Sequence, residues 1–168
     1  MKIGILGKMG SGKSTLANMI IDKDVRYTRY AFGDKVKEIA KNLFGMIEKD
    51  RNLLQTIGGK MREIDDCVWV NYVINQIKNT SFVVIDDVRY ENEVLTLKKN
   101  GFKIIYLDID NNTQIERLKL TYPNTYLDHI NNGNHESEKA NLYSKYADII
   151  LKNYTILQLQ EFIIKLVD

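Results

Sequence analysis

The sequence predicts a three-layer α/β fold with a mostly parallel sheet of about five strands. Short apolar runs alternate with longer stretches of helical period, the pattern of βαβ units. The run Phe82-Val83-Val84-Ile85 is continuously apolar, as in a central strand covered on both faces. The first apolar run, residues 2–6, ends in a glycine-rich turn and passes at once into helical period.

Each element follows from its spacing. Residues 2–6 form a buried strand, and from Lys13 a helix turns Leu16, Ile20 and Ile21 to one side. Three further sets repeat at helical spacing: Val36, Ile39, Ala40 and Leu43; Leu53, Leu54 and Ile57; Trp69, Val73 and Ile77. They make residues 31–77 a long, mainly helical insertion ahead of the 82–85 strand, which stops at Asp86-Asp87. A helix over 91–100 is closed by Gly101, and 103–109 is another strand. Thr113-x-x-Glu116 is a capping-box pattern opening a short helix. The polar, Asn-rich segment 121–134 is a lid or binding loop. Residues 147–151 form the last strand, and Thr155-x-x-Gln158 opens a terminal helix with Ile156, Leu159, Ile163 and Leu166 inward.

The length of 168 residues suits a single domain, 1–168, with no repeat or linker. A formal charge of +2, from 24 basic and 22 acidic residues, argues against a polymeric nucleic-acid partner. The single cysteine, Cys67, excludes an intrachain disulfide and suits a reducing compartment as a small core residue. The apolar stretches are too short for a signal peptide or a membrane span, so a cytoplasmic protein with no membrane partner is expected.

The turn after the first strand, Gly7-Lys8-Met9-Gly10-Ser11-Gly12-Lys13-Ser14, matches G-x-x-x-x-G-K-[ST]. Glycines let backbone N–H groups wrap a phosphate, and the following helix aims its positive end at the same anion. Gly7, Met9, Gly10, Ser11, Gly12, Lys13, Ser14 and Thr15 are the candidate ATP contacts. Among them Lys13 reaches the β- and γ-phosphates, and the Ser14 hydroxyl ligates Mg²⁺. The fold class is therefore that of a P-loop NTPase. A carboxylate for the cation is expected at the end of a second core strand, where Asp86 and Asp87 stand. Alternation along a strand sends one of them toward the glycine-rich loop. The sequence leaves open which.

A P-loop names the donor and not the acceptor. Kinases of small molecules place cations on the acceptor's own phosphate and on the group in transfer. Candidates are Arg62, after a Gly-Gly pair; Arg89, beyond the acidic strand end; and Arg117, beside the polar loop. Phe32, Phe44 and Trp69 could stack on an acceptor base, although aromatics at helical spacing more often belong to a core. Asp34 reads either as a general base or as a helix N-cap. His135, Glu136 and Glu138 lack zinc-ligand spacing.

The P-loop occurs together with Ala31-Phe32-Gly33-Asp34-Lys35-Val36-Lys37, Leu43-Phe44-Gly45, Lys49-Asp50-Arg51, Leu54-Gln55 through Arg62, Trp69-Val70, Ile85 through Glu93, and His135-Glu136-Ser137-Glu138. In that order and spacing they resemble the phage-type deoxynucleoside monophosphate kinases over most of the chain. The resemblance implies transfer from ATP, with Mg²⁺, to a deoxynucleoside monophosphate bound by the 31–77 insertion under a lid at about 113–138. It implies Asp34, Lys35 and Trp69 near the acceptor, and Arg62 and Arg89 on its phosphate. Arg117 would stabilise the transferring group, and Asn153 would hold the adenine. It also admits a homodimer, and a host cytoplasm if the chain is phage-encoded. The lid departs from the wider nucleotide-kinase group: residues 121–134 contain no arginine or lysine, which leaves Arg117 and Lys119 as its cations. Kinases of dephospho-coenzyme A or phosphomevalonate share the P-loop and an Asp near position 34. A nucleotide-binding switch is the remaining alternative, without an N-K-x-D guanine-reading motif to support it.

Overall fold

Burial follows the apolar runs. In the computed structural model, which describes residues 1–131 and 140–167, five strands form one parallel sheet. They are β1 (Lys2–Leu6), β2 (Thr28–Tyr30), β3 (Val83–Val88), β4 (Phe102–Asp108) and β5 (Ile149–Lys152), in the order β2-β3-β1-β4-β5. The helices are α1 (Lys13–Lys23), α2 (Phe32–Phe44), α3 (Arg51–Ile64), α4 (Val68–Gln76), α5 (Glu91–Lys99), α6 (Asn111–Thr121), α7 (Tyr126–Asn131) and α8 (Ile156–Val167), with a 3-10 helix at Ala140–Tyr146.

The sheet separates two apolar cores. On one face Ile3, Ile5, Val84, Ile105 and Leu107 meet Leu16 and Ile20 of α1 and Leu159 and Ile163 of α8. On the other, Leu6, Val83, Ile85 and Ile104 meet α2, α4 and α5 through Val36, Ala40, Trp69, Val73, Val94 and Leu97. Removing each of the Val, Leu and Ile side chains among them from water is worth about 1.5–3 kcal/mol. The central strands take both cores, which is why they are apolar end to end. Because β1 lies between β3 and β4, the chain reverses its direction of winding there, and the crevice opens at the carboxyl ends of these strands.

Several boundaries differ from the sequence expectation. The edge strand β2 has only three residues, two of them exposed, so it carries no apolar run to recognise. The third strand does not stop at Ile85: β3 continues through Asp86 and Asp87 to Val88. Its register against β1 slips there, with Gly4 opposite Ile85 but Leu6 opposite Val88, so one extra residue is accommodated as a bulge. Helix α6 begins earlier than Thr113. Asp110 is its cap, accepting from Thr113 N at 2.8 Å, and Thr113 Oγ1 donates to the same carboxylate rather than starting the helix. The Asp148 carboxylate takes the Ile104 N–H at 2.7 Å, and β5 starts one residue later. The α8 box is as expected: Thr155 N donates to Gln158 Oε1 and Gln158 N to Thr155 Oγ1. Cys67 is half-buried against the second core. His135, Glu136, Glu138 and the end of the 121–134 segment lie outside the described residues. Among the described residues, no helix is long and apolar enough to cross a membrane.

Candidate functional site

A cleft of about 1070 Å³ opens at the carboxyl ends of β1 and β3. The β1–α1 turn forms one wall. Gly12 adopts φ 89° where α1 begins, a left-handed conformation in which other residues are strained. Gly7 is needed for another reason: a Cβ there would lie 2.5 Å from Ser11 Oγ and 3.0 Å from the Leu107 carbonyl. Lys13 Nζ donates to the Gly7 and Lys8 carbonyls at 2.6 and 2.8 Å. Met9, Gly10, Gly12, Lys13, Ser14 and Thr15 line the cleft, the last two with exposed side chains. Ser11 is fully buried, and its Oγ has no hydrogen-bond partner.

The bulge at the end of β3 brings both acids to the cleft, where plain alternation would have sent one away. Their surroundings differ. Asp87 accepts from Phe32 N at 3.0 Å and Gly33 N at 2.8 Å, the first two amides of α2. The helix needs this because Ala31, at its N-cap, has no side-chain oxygen. Burial raises the Asp87 carboxyl and Asp86 adds to the rise, while the two amides oppose it. Asp86 is 2% exposed and lies 2.8 Å from Arg29 Nη2, out of line for a hydrogen bond to its Oδ1. Of the two acids, Asp86 has the oxygen still lacking an aligned donor.

These features fit a nucleoside triphosphate and a divalent cation. The glycine cradle turns backbone N–H groups to phosphate oxygens, while the exposed Ser14 hydroxyl and the Asp86 carboxylate, which both line the cleft, are hard oxygen donors for the cation.

The second wall comes from α2, α3 and the turn after β3. Arg29 bridges Asp86 and Asp34, reaching the latter at 3.3 Å, and Lys37 meets Asp34 at 2.8 Å. Partial burial would raise the Asp34 carboxyl, but these two cations outweigh it and hold it low. Asp34 lies inside α2 and does not cap it, so the N-cap reading is corrected. Lys35 turns away from the cleft to Glu38 at 2.5 Å and to the Tyr72 ring at 5.2 Å. It is not brought to the site, because on α2 its direction differs from that of Val36 and Lys37. Arg62 lines the cleft with its guanidinium committed: 3.3 Å to Glu93, 3.3 Å to the Gly58 carbonyl and 4.2 Å over the Tyr90 ring.

Glu93 is 2% exposed and accepts from Arg89 N at 2.8 Å and Tyr90 N at 3.1 Å. Burial pushes its carboxyl up to about 7, against the pull of the Arg89 amide and with a further push from Asp87. Trp69 touches the cleft but belongs to the core, its Nε1 donating to the Gly58 carbonyl at 3.2 Å. Phe32 is buried at the cleft wall, whereas Phe44 is exposed at the far end of α2.

Helix α6 closes the third side. Gln114 Nε2 donates to the Met9 carbonyl at 2.8 Å, and Arg117 Nη1 to the Ser11 carbonyl at 3.4 Å. Arg117 also lies 5.5 Å from the Tyr154 ring, whose hydroxyl donates to the same Ser11 carbonyl. Lys119 lies over Tyr126 instead. Asn153 does not line the cleft. It sits at φ 43°, and its Oδ1 accepts from Asp110 N at 3.2 Å, tying the β5–α8 turn to the start of α6. Arg29, Lys37, Gln114 and Tyr154 are site residues that the sequence does not single out: Arg29 lies within a strand too short to detect, and Tyr154 is one of ten scattered tyrosines.

A family model described as an AAA domain matches residues 3–141. The chain belongs to that family. A UPF0200 protein of Methanococcus vannielii is 34% identical over 124 residues, taking in 69% of this chain. The chain spans 64% of that relative's length. Among solved structures, an uncharacterised protein from Eubacterium ventriosum superposes with a TM-score of 0.63 at 17% identity, over 100% of this chain and 98% of that one. A shikimate kinase from Acinetobacter baumannii, in complex with shikimate, gives 0.60 at 15% identity, over 99% and 90%. The fold is the P-loop kinase fold, with the five-stranded parallel sheet that the sequence predicts.

Proposed function

We propose that this protein transfers the γ-phosphoryl group of ATP to a deoxynucleoside monophosphate, giving ADP and the diphosphate. The observation carrying this reading is the two-walled cleft: a phosphate cradle on the α1 side faces a cationic wall on the α2–α3 side. The sequence resemblance supplies the acceptor class. An acceptor phosphate oxygen is already ionised near pH 7 and can attack phosphorus directly, so the site requires cations rather than a general base.

Lys13 and the cradle amides hold the donor phosphates, and Arg117, which lines the cleft beside the cradle, is assigned to the charge that develops on the group in transfer. A Mg²⁺ ion held by Ser14 and Asp86 would neutralise the β- and γ-oxygens. Arg89 is assigned to the acceptor phosphate. Asp34 holds Arg29 and Lys37 at the cleft and is a positioning residue. Arg62, fastened by Glu93 and Tyr90, shapes the acceptor pocket beside Trp69. Asn153 fixes the loop that borders the adenine side. Movement of α6 further over the cleft would exclude water from the γ-phosphate.

The test is a coupled ADP-release assay with Mg-ATP and each common deoxy- and ribonucleoside monophosphate in turn. Dephospho-coenzyme A, phosphomevalonate and shikimate complete the panel. Strong stimulation by one or a few deoxynucleotides is the expected result. Stimulation by another panel member alone would replace the acceptor, and turnover indifferent to all of them would favour a nucleotide switch.

A further inference from the structure

A peptide unit in a phosphate cradle can present either of its ends. Its C=O and N–H point in opposite directions, so one orientation offers the anion a donor and the other an oxygen that repels it. Turning the unit over reverses the sign of φ at the residue after it, as between type I and type II turns. Glycine accepts both signs. Gly10 and Gly12 stand at φ 78° and 89°, so the local chain alone does not set the orientation of the Met9–Gly10 and Ser11–Gly12 units.

Both carbonyls are held from outside the loop. That of Met9 accepts from Gln114 Nε2 of α6 at 2.8 Å. That of Ser11 accepts from the Tyr154 hydroxyl, with Arg117 Nη1 as a second donor at 3.4 Å. Gln114 and Tyr154 stand 105 and 143 residues along the chain from the carbonyls they hold, so a distant part of the fold completes the cradle. Tyr154 is buried, which leaves its hydroxyl little water to turn to instead. The Gly7 and Lys8 carbonyls, by contrast, are held from within, by Lys13.

We propose that Gln114 and Tyr154 are positioning residues of the triphosphate site. Each latches one peptide unit, so that the Gly10 and Gly12 amides, and not the Met9 and Ser11 carbonyls, meet the phosphates. Donors oriented before the anion arrives need no reorganisation when it binds. This assignment rests on reading the β1–α1 turn as a polyphosphate site and holds for any acceptor.

Backbone amide NMR of the full chain tests it, with titrations of inorganic tripolyphosphate and of a non-hydrolysable ATP analogue, each with Mg²⁺. Wild type is compared with Gln114→Met, which keeps the length of the side chain, and Tyr154→Phe, which keeps the ring beside Arg117. In wild type both ligands should bind and move the Gly10 and Gly12 amide protons downfield, as donation to an anion does. Gln114→Met should weaken both ligands about 3-fold or more and diminish the response at Gly10. Tyr154→Phe should do the same at Gly12. Each variant should weaken the two ligands by a common factor, because the latches act on the phosphate cradle. Thermal melts check folding, and Gln114, only partly buried, carries the test even where Tyr154→Phe does not fold. Affinities and glycine responses unchanged in both variants would overturn the latch. So would a loss confined to the ATP analogue, which would put Tyr154 on the nucleoside, or a loss spread evenly over every loop amide. No binding of either ligand by wild type would overturn the cradle itself, and the latch with it.

Discussion

The two walls of the cleft are built from different material. On the α1 side the ligand-facing groups are main-chain amides held by glycine geometry, with one lysine among them. On the α2–α3 side they are long side chains, among them Lys37, steered by Asp34, and Arg62, steered by Glu93 and the Tyr90 ring. A main-chain wall depends on spacing and cannot be retuned by changing one side chain. The side-chain wall can be respecified one substitution at a time without rebuilding the chain. A common donor and a variable acceptor are best served by that division.

The comparison can be broken most forcefully at its two charged anchors. Lys13→Ala should cut phosphoryl transfer by on the order of 10²–10³-fold or more while leaving the circular dichroism spectrum unchanged. Arg89→Ala should raise the acceptor KM by about 10-fold or more, with ATP affinity nearly constant. Unchanged acceptor kinetics in that variant would remove Arg89 from the acceptor side.

Glu93 sharpens the contrast through pH. Its folded-state value of about 7 stands above the ordinary 4.5, because burial disfavours the charged form. Its contribution to stability is therefore fully present below pH 4.5 and is lost as pH rises through 7. The loss amounts to about 3 kcal/mol. Urea unfolding of wild type and Glu93→Gln across this window should show wild type losing roughly that much relative to the variant. A difference independent of pH would mean that the carboxyl does not titrate in the folded protein.

The smallest effects lie in a pair of glycines, one on each wall. Gly7→Ala places a methyl against Ser11 Oγ and the Leu107 carbonyl and should cost about 1–3 kcal/mol, together with nucleotide binding. Gly59→Ala, inside α3 with nothing within 4 Å of the added carbon, should stabilise the protein by about 1 kcal/mol in thermal melts. Equal destabilisation by both would contradict the division between the walls.

The legibility of the sequence divides along the same line. The cradle was readable because its chemistry depends on glycines at fixed spacing between a strand and a helix. The central strands were readable because burial on both faces leaves an unbroken apolar run. The acceptor wall was only partly readable. Whether Lys35 or Lys37 meets the cleft depends on the rotation of α2, and whether Arg62 is engaged depends on Glu93, 31 residues away in the chain. A bulge leaves no compositional trace, so alternation, which turns one of the two acids toward the glycine-rich loop, gives no sign that the other lines the cleft as well. The edge strand β2 escapes the pattern because it has three residues, two of them exposed, too few to show a period.

That bulge makes the end of β3 a tie-rod. Asp87 is pinned to the first amides of α2, and the next carboxylate back along the same strand faces the cradle. The helix that carries the cationic side of the cleft and the carboxylate offered to the cation therefore hang from adjacent residues of one strand, a single peptide unit apart.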